Sequence, residues 1–112
     1  MLPQANRLKT TRDFDTVYRK GSHFKGTHGK LIFFDRRDDA PVRVGIIVSA
    51  KRGNAVKRNK VKRLIREAFR VHLEDMKSGI DVTFIVWDPD FSLVSISEEI
   101  MKLMKEAGCI KE

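Results

Sequence analysis

The sequence predicts one α+β domain in the order α-β-β-β-α-β-α, with a four-stranded sheet packed by helices. Two observations carry this. The spacing of apolar residues switches repeatedly between a helical and a strand period, and Gly, Pro, Asn or Asp stands near each switch. The 112 residues, 41% of them hydrophobic, suffice for one core, and no repeat, low-complexity tract or linker divides them.

Residues 1–9 lack periodicity and include Pro3, which predicts an extended arm. Thr10 and Asp13 then offer a start like a capping box. Phe14, Val17 and Tyr18 share one helical face, and Gly21 stops a helix of about three turns. Strand patterning follows. A short strand is expected at 23–25, with Gly26 and Gly29 marking a turn or bulge. Leu31-Ile32-Phe33-Phe34 and Val42-Arg43-Val44-Gly45-Ile46-Ile47-Val48 read as an antiparallel pair joined by a polar, exposed turn at 35–41. Alternation sends Lys30, Ile32 and Phe34 to one face and Leu31 and Phe33 to the other, the lysine marking the even face as the wetter.

Gly53-Asn54 punctuates the chain before a long helix. Its Val61, Leu64, Ile65, Ala68, Phe69 and His72 align on one side, with Asn59, Lys62, Arg63, Arg66 and Arg70 opposite or beside them. After Ser78-Gly79, the run Asp81-Val82-Thr83-Phe84-Ile85-Val86-Trp87 is β-branched and aromatic and ends at Asp88-Pro89, as a buried strand does. Ser95-Ile96-Ser97-Glu98 offers a capping box for a last helix. Its stripe of Ile96, Ile100, Leu103, Met104 and Ala107 ends at Gly108.

The formal net charge of +8 is localised. Residues 51–70 carry nine Lys/Arg and one acid, Glu67, whereas the rest of the chain is neutral; residues 71–112 carry four basic and nine acidic residues. A strand end, a glycine turn and a helix start meet in this segment, and the unsatisfied amides of a helix start attract phosphate. Lys51, Arg52, Lys57, Arg58, Lys60, Lys62, Arg63 and Arg66 surround that start. A helix made cationic only for solubility would mix signs to gain pairs four residues apart, and Arg63 with Glu67 is the one such pair here. So many like charges cost stability unless a polyanion offsets them.

Other classes fit less well. No apolar run approaches a bilayer span or a signal peptide, and the lone Cys109 suits a reducing, cytoplasmic compartment. A membrane-surface helix is disfavoured because the apolar side at 61–69 is needed to cover the sheet. A protein nuclease would gather carboxylates or a positioned base. Here His23, His28 and His72 are scattered, His72 lies on the packing side of the basic helix, and Asp35, Asp38, Asp39, Asp88 and Asp90 occupy turns. A general or ribosomal RNA-binding module is the main rival reading.

The run Gly53-Asn54-Ala55-Val56-Lys57-Arg58-Asn59-Lys60-Val61-Lys62-Arg63 resembles the signature of the bacterial ribonuclease P protein subunit, an Arg-Asn-Arg triplet followed by an apolar residue and Lys-Arg. Here the triplet reads Arg58-Asn59-Lys60, which keeps the charge at its third position but loses the planar fork. Asn6-Arg7-Leu8-Lys9, Asp13-Phe14 and Val17-Tyr18-Arg19-Lys20-Gly21 are similar to the opening of that family, and Arg43-Val44-Gly45-Ile46-Ile47-Val48-Ser49 to its central strand. The resemblance covers most of residues 6–70; the last forty match in pattern only.

What the resemblance implies is a protein that assists a catalytic RNA in removing the 5′ leader of precursor tRNA. Bond cleavage, on this reading, belongs to the RNA and its magnesium ions, and the protein holds no catalytic residue, metal or cofactor of its own. Arg58, Asn59, Lys60, Lys62, Arg63 and Arg66 would meet the RNA subunit, joined by Lys51, Arg52 and Lys57 of the same cluster. Phe14 and Tyr18 would line a cleft for the single-stranded leader, where flat side chains stack on unpaired bases, and strand alternation adds Phe34 to them from the wetter, even face. The partners implied are the RNA subunit and precursor tRNA, with no membrane and no obligate protein partner. The implied fold resembles the ribosomal protein S5 domain 2-like fold, with a left-handed β-α-β crossover.

Overall fold

The structure, a computed structural model, describes residues 2–49, 51 and 53–111. Its helices are α1 (Thr11–Lys20), α2 (Ala55–Arg70) and α3 (Leu93–Ala107), and its strands are β1 (Ser22–Lys25), β2 (Gly29–Asp35), β3 (Arg43–Val48) and β4 (Ile80–Val86). This is the expected α+β order, including the short first strand. Arg52, one of the expected RNA-binding residues, lies outside the described residues.

The helix starts are fixed by side chains. Thr10 Oγ1 accepts from the Asp13 amide at 3.1 Å, and Asn54 Oδ1 accepts from the Lys57 amide at 2.9 Å. At α3 the expected box is displaced by three residues: Ser92 and Ser95 cap each other's amides reciprocally, and the helix begins at Leu93. Serines stand at 92, 95 and 97, and the first that can satisfy a free amide starts the helix. Gly108 closes α3 in the left-handed conformation at φ 80°, as its position suggested.

Strand order corrects one expectation. The sheet runs β1-β2-β4-β3, so β2 and β3 are not neighbours. β4 lies between them, antiparallel to β2 and parallel to β3. The reason is burial: every residue of β4 except Ile85 is buried, and the most apolar strand takes the centre, where both faces are covered. β3, α2 and β4 thereby form a parallel β-α-β unit.

The two sheet faces differ in depth. On one, Leu31, Val44, Val82 and Phe84 pack with Val61, Ile65 and Phe69 of α2 and Ile96 and Ile100 of α3 in the main core. On the other, Ile32 of β2 packs with Val17 of α1 and Leu8 of the arm, ringed by half-buried Phe14, Phe34 and Ile85. The even residues of β2 therefore lie under α1. Lys30 and Phe34 are half-buried there, while Ile32 is fully covered.

Residues 2–9 are less extended than Pro3 suggested. Gln4–Asn6 form a 3₁₀ turn, the Leu8 amide donates to the Val44 carbonyl at 2.9 Å, and Leu2 and Leu8 are buried. The turn after β2 is likewise organised. Asp81 is 2% exposed, and Arg43 grips both its oxygens, each at 2.8 Å. Arg36 also pairs with Asp81 and donates to the carbonyls of Ile80, Ala40 and Pro41 at 2.9 to 3.1 Å. Arg43 reaches on to Asp13 of α1 at 3.3 Å, tying that helix to the sheet.

Candidate RNA interface

α2 presents its apolar stripe to the core and its cations outward. Val61, Ile65, Ala68 and Phe69 are buried, while Lys57, Asn59, Lys60 and Arg63 are exposed and Arg58 is partly so. Leu64 is only half-covered, and His72 just beyond the helix bonds Ser97 of α3 at 3.1 Å, a packing role. Glu67 pairs with Arg70.

The first turn of α2 contains no acid, yet Lys57 and Arg58 stand there. Because the macrodipole makes a helix start positive, cations there are repelled rather than held. Gly53, at φ 119°, supplies the left-handed turn that brings the chain from β3 into this start. Lys51 is exposed before it, its amide donating to Ser49 Oγ at 3.2 Å.

Lys62 and Arg66 leave the exposed ridge and turn toward the arm. With Arg7, Lys9, Phe14 and Gly45 they line a groove of about 440 Å³ between the arm, β3 and α2. A Cβ at Gly45 would stand 2.3 Å from the Phe14 ring, so glycine is what lets that ring lie on the sheet. Phe14 thus belongs both to the small core and to a cationic groove.

Tyr18 occupies a different place. The residue is 51% exposed, with Lys30 Nζ 5.2 Å from its ring centroid and the His23 ring edge-on at 5.3 Å. His23 Nε2 also lies 2.9 Å from the Tyr18 carbonyl. Ile47 is exposed as well. Phe34 is near the far end of β2, opposite Asp81 across the strand pair, and joins the small core rather than Tyr18. The structure therefore groups the expected cations from Lys57 to Arg66 on α2, leaves Lys51 just before it, and sets Phe14 beside two of them, but separates Tyr18 from Phe34.

Sequence reasoning missed several participants. Arg7 and Lys9 meet Lys62 and Arg66 only because the arm docks on β3, and no local pattern announces that. Lys30 carried a weak signal through strand alternation. His28 is neither isolated nor free: its Nδ1 lies 2.8 Å from Glu99, whose other oxygen accepts the His28 amide at 2.9 Å, joining the β1–β2 turn to α3. Among the described residues no three His, Cys, Asp or Glu side chains are placed to hold a metal, and no helix is long and apolar enough to cross a membrane.

Comparison with known proteins identifies the family and the fold. The family model described as Ribonuclease P matches residues 2–108. The chain belongs to the ribonuclease P protein family. Among its relatives, the ribonuclease P protein component of Clostridium botulinum is 37% identical over 106 residues, covering 92% of this chain and 95% of the relative. That of Brevibacillus brevis is 36% identical over 111 residues, covering 97% and 88%. Among solved structures, the RNase P protein of Staphylococcus aureus superposes with a TM-score of 0.85 at 32% identity, over 96% of this chain and 100% of that one. The RNase P protein of Thermotoga maritima gives 0.79 at 28% identity, over 89% and 96%. As a ribonuclease P protein, the chain is a non-catalytic subunit of a ribonucleoprotein enzyme. It works with an RNA subunit and precursor tRNA to remove the 5′ leader.

Proposed function

We propose that two surfaces divide this work. The ridge of Lys51, Lys57, Arg58, Asn59, Lys60 and Arg63, continued by Lys62 and Arg66 into the arm groove, holds phosphates of the catalytic RNA. Arg52 belongs to the same set by its place in the sequence. The half-open face around Tyr18 and Lys30, extended by Phe14, takes the unpaired leader by stacking and charge, and Phe34 supports this face from the small core. The observation that carries the reading is the cationic first turn of α2, which opposes the helix dipole and is relieved when an anion docks there.

Magnesium, on this reading, is bound by the RNA subunit, where the bond is cut, and the chain binds no cofactor. Support comes from the carboxylates where α1 meets the sheet: Asp81 is engaged by Arg36 and Arg43, and Asp13 by Arg43. We take residues 1–112 as one folding unit whose arm is part of the RNA face, since Arg7 and Lys9 share the groove with Lys62. A cytoplasmic location fits the single, buried Cys109, and no obligate protein partner is implied.

The test is reconstitution with a bacterial catalytic RNA on precursor tRNA at physiological magnesium. Adding the chain should restore leader removal, and Tyr18→Ala should cost about tenfold in preference for substrates with a leader over those without. A general RNA-binding module would bind without restoring cleavage, and equal loss on both substrates would return Tyr18 to a structural role.

A further inference from the structure

We infer that the groove between the first half of α2 and the β4–α3 loop is a separate contact site, seating one unpaired, guanine-bearing nucleotide of the RNA subunit. This rests on the reading that α2 faces RNA. The groove, about 810 Å³, lies on the flank of α2 away from the arm groove, lined by Val56, Lys57, Lys60, Leu64, Asp90 and Phe91 among others. That is within the ~300–1,000 Å³ common for small-ligand sites.

Three apolar side chains of the groove are only partly used by the fold or not used at all. Val56 is 77% exposed in the first turn of α2, where a β-branched residue is a poor helix former and an uncovered apolar one gains nothing from the core. Leu64 of the packing stripe stays half-exposed beside it. Phe91 packs on the main core yet also lines the groove, its ring fixed edge-to-face by His28 at 5.5 Å. Together they make an apolar floor with a rigid aromatic, which suits the face of an unstacked base.

The rim supplies the rest of a nucleotide's chemistry. Lys57 and Lys60 are exposed cations for phosphate. Asp90 is the exception to the positive charge, its carboxylate 3.8 Å from Lys57 Nζ and otherwise open to solvent. An ionised carboxylate only accepts hydrogen bonds, so it repels phosphate from its end of the groove and receives the imino and amino hydrogens of a base. Guanine offers two such donors on one edge, and uracil offers a single imino hydrogen flanked by carbonyls. The groove therefore orients a nucleotide with phosphate toward Lys60 and base edge toward Asp90.

The experiment has two arms. In the first, the full chain is titrated with guanosine 5′-monophosphate and with uridine 5′-monophosphate while backbone amides are followed by NMR. Shifts should gather at Val56, Leu64 and Phe91, with guanosine binding about fivefold tighter, and Asp90→Asn should remove the difference. In the second, assembly with the RNA subunit is measured for Val56→Glu, a surface change the fold tolerates, and for Val56→Leu. The glutamate should weaken assembly about tenfold and leucine should leave it intact. Shifts absent from the groove, shifts confined to the Tyr18–Lys30 face, or a Val56→Glu variant that assembles like the parent would each overturn the inference. If the parent chain fails to bind the RNA subunit at all, the underlying reading of α2 fails, and the titration still decides on the groove by itself.

Discussion

α2 and α3 are a natural pair: nearly equal in length, adjacent, and packed on the same sheet face with four buried residues each. Their inner sides are interchangeable in kind, Val61, Ile65, Ala68 and Phe69 against Ile96, Ile100, Leu103 and Met104. Their outer sides are not. α2 carries seven Lys/Arg and one acid, whereas α3 carries Lys102 and Lys105 with Glu98, Glu99 and Glu106. Since both solve the same packing problem, the difference on the outside records the partner. α2 is built for a polyanion, and α3 is an ordinary mixed surface.

The largest effects should come from the shared side and should not distinguish the helices. Phe69→Ala removes a fully buried ring and should cost ~3–5 kcal/mol of stability, and Ile100→Ala ~2–5 kcal/mol, measured by urea unfolding. If the α2 variant were nearly neutral, α2 would be docked by RNA rather than by the core, and the equivalence of the inner sides would be lost.

The outer sides should separate sharply. Arg58→Glu with Lys62→Glu should weaken binding of the RNA subunit about 100-fold at fixed salt and flatten the salt dependence. Lys102→Glu with Lys105→Glu changes the net charge equally and should weaken it no more than about threefold. Equal losses would mean that the RNA senses only overall charge.

The paired helices also show what a sequence can and cannot disclose. Both stripes were legible because helical packing is written locally, at spacings of three and four residues, and so were the Thr10 cap, the break at Gly53-Asn54 before α2 and the stop at Gly108. The start of α3 was misplaced because three serines stand within six residues and any of them can cap. The neighbour of β2 was misread because pairing residues 29–35 with 80–86 is a topological fact, decided by which strand is apolar enough to be central. Asp81 looked like an ordinary strand beginning; its burial depends on Arg36 from the β2–β3 connection and Arg43 from the start of β3. For the site, the charge on α2 was plain from composition. The groove that joins Lys62 and Arg66 to Arg7 and Phe14 was hidden, since it exists only once the arm lies along β3.

A thiol at the end of α3 gives a smaller test of how tightly that side is closed. Cys109 is fully buried, and burial pushes its pKa up to about 12. It should resist alkylation at pH 8 in the folded chain and react readily in urea. Because an unfolded thiol ionises near pH ~8.5 while the folded one keeps its proton, the contribution of this group falls as pH rises from there toward 12. Rapid labelling of the folded chain would show that the α3 end opens and that the two helices differ in closure as well as charge.

The finest contrast lies at the two N-caps, where stability and binding should move in opposite directions on α2. Asn54→Asp keeps the acceptor for the Lys57 amide and adds a negative charge at a positive helix end beside Lys57 and Arg58, so the free protein should gain ~0.3–1 kcal/mol. The same charge occupies the place of an RNA phosphate, and affinity for the RNA subunit should fall about threefold to tenfold. Ser92→Asp meets no cation in the first turn of α3, which reads Leu93-Val94-Ser95, so its gain should be smaller and its effect on RNA smaller still. A chain made more stable and less able to bind by one carboxylate would show that the first turn of α2 is held in a repulsive state which RNA relieves on binding. An Asn54→Asp variant with unchanged urea midpoint would show that solvent already screens that repulsion, leaving the asymmetry of α2 and α3 without an energetic cost.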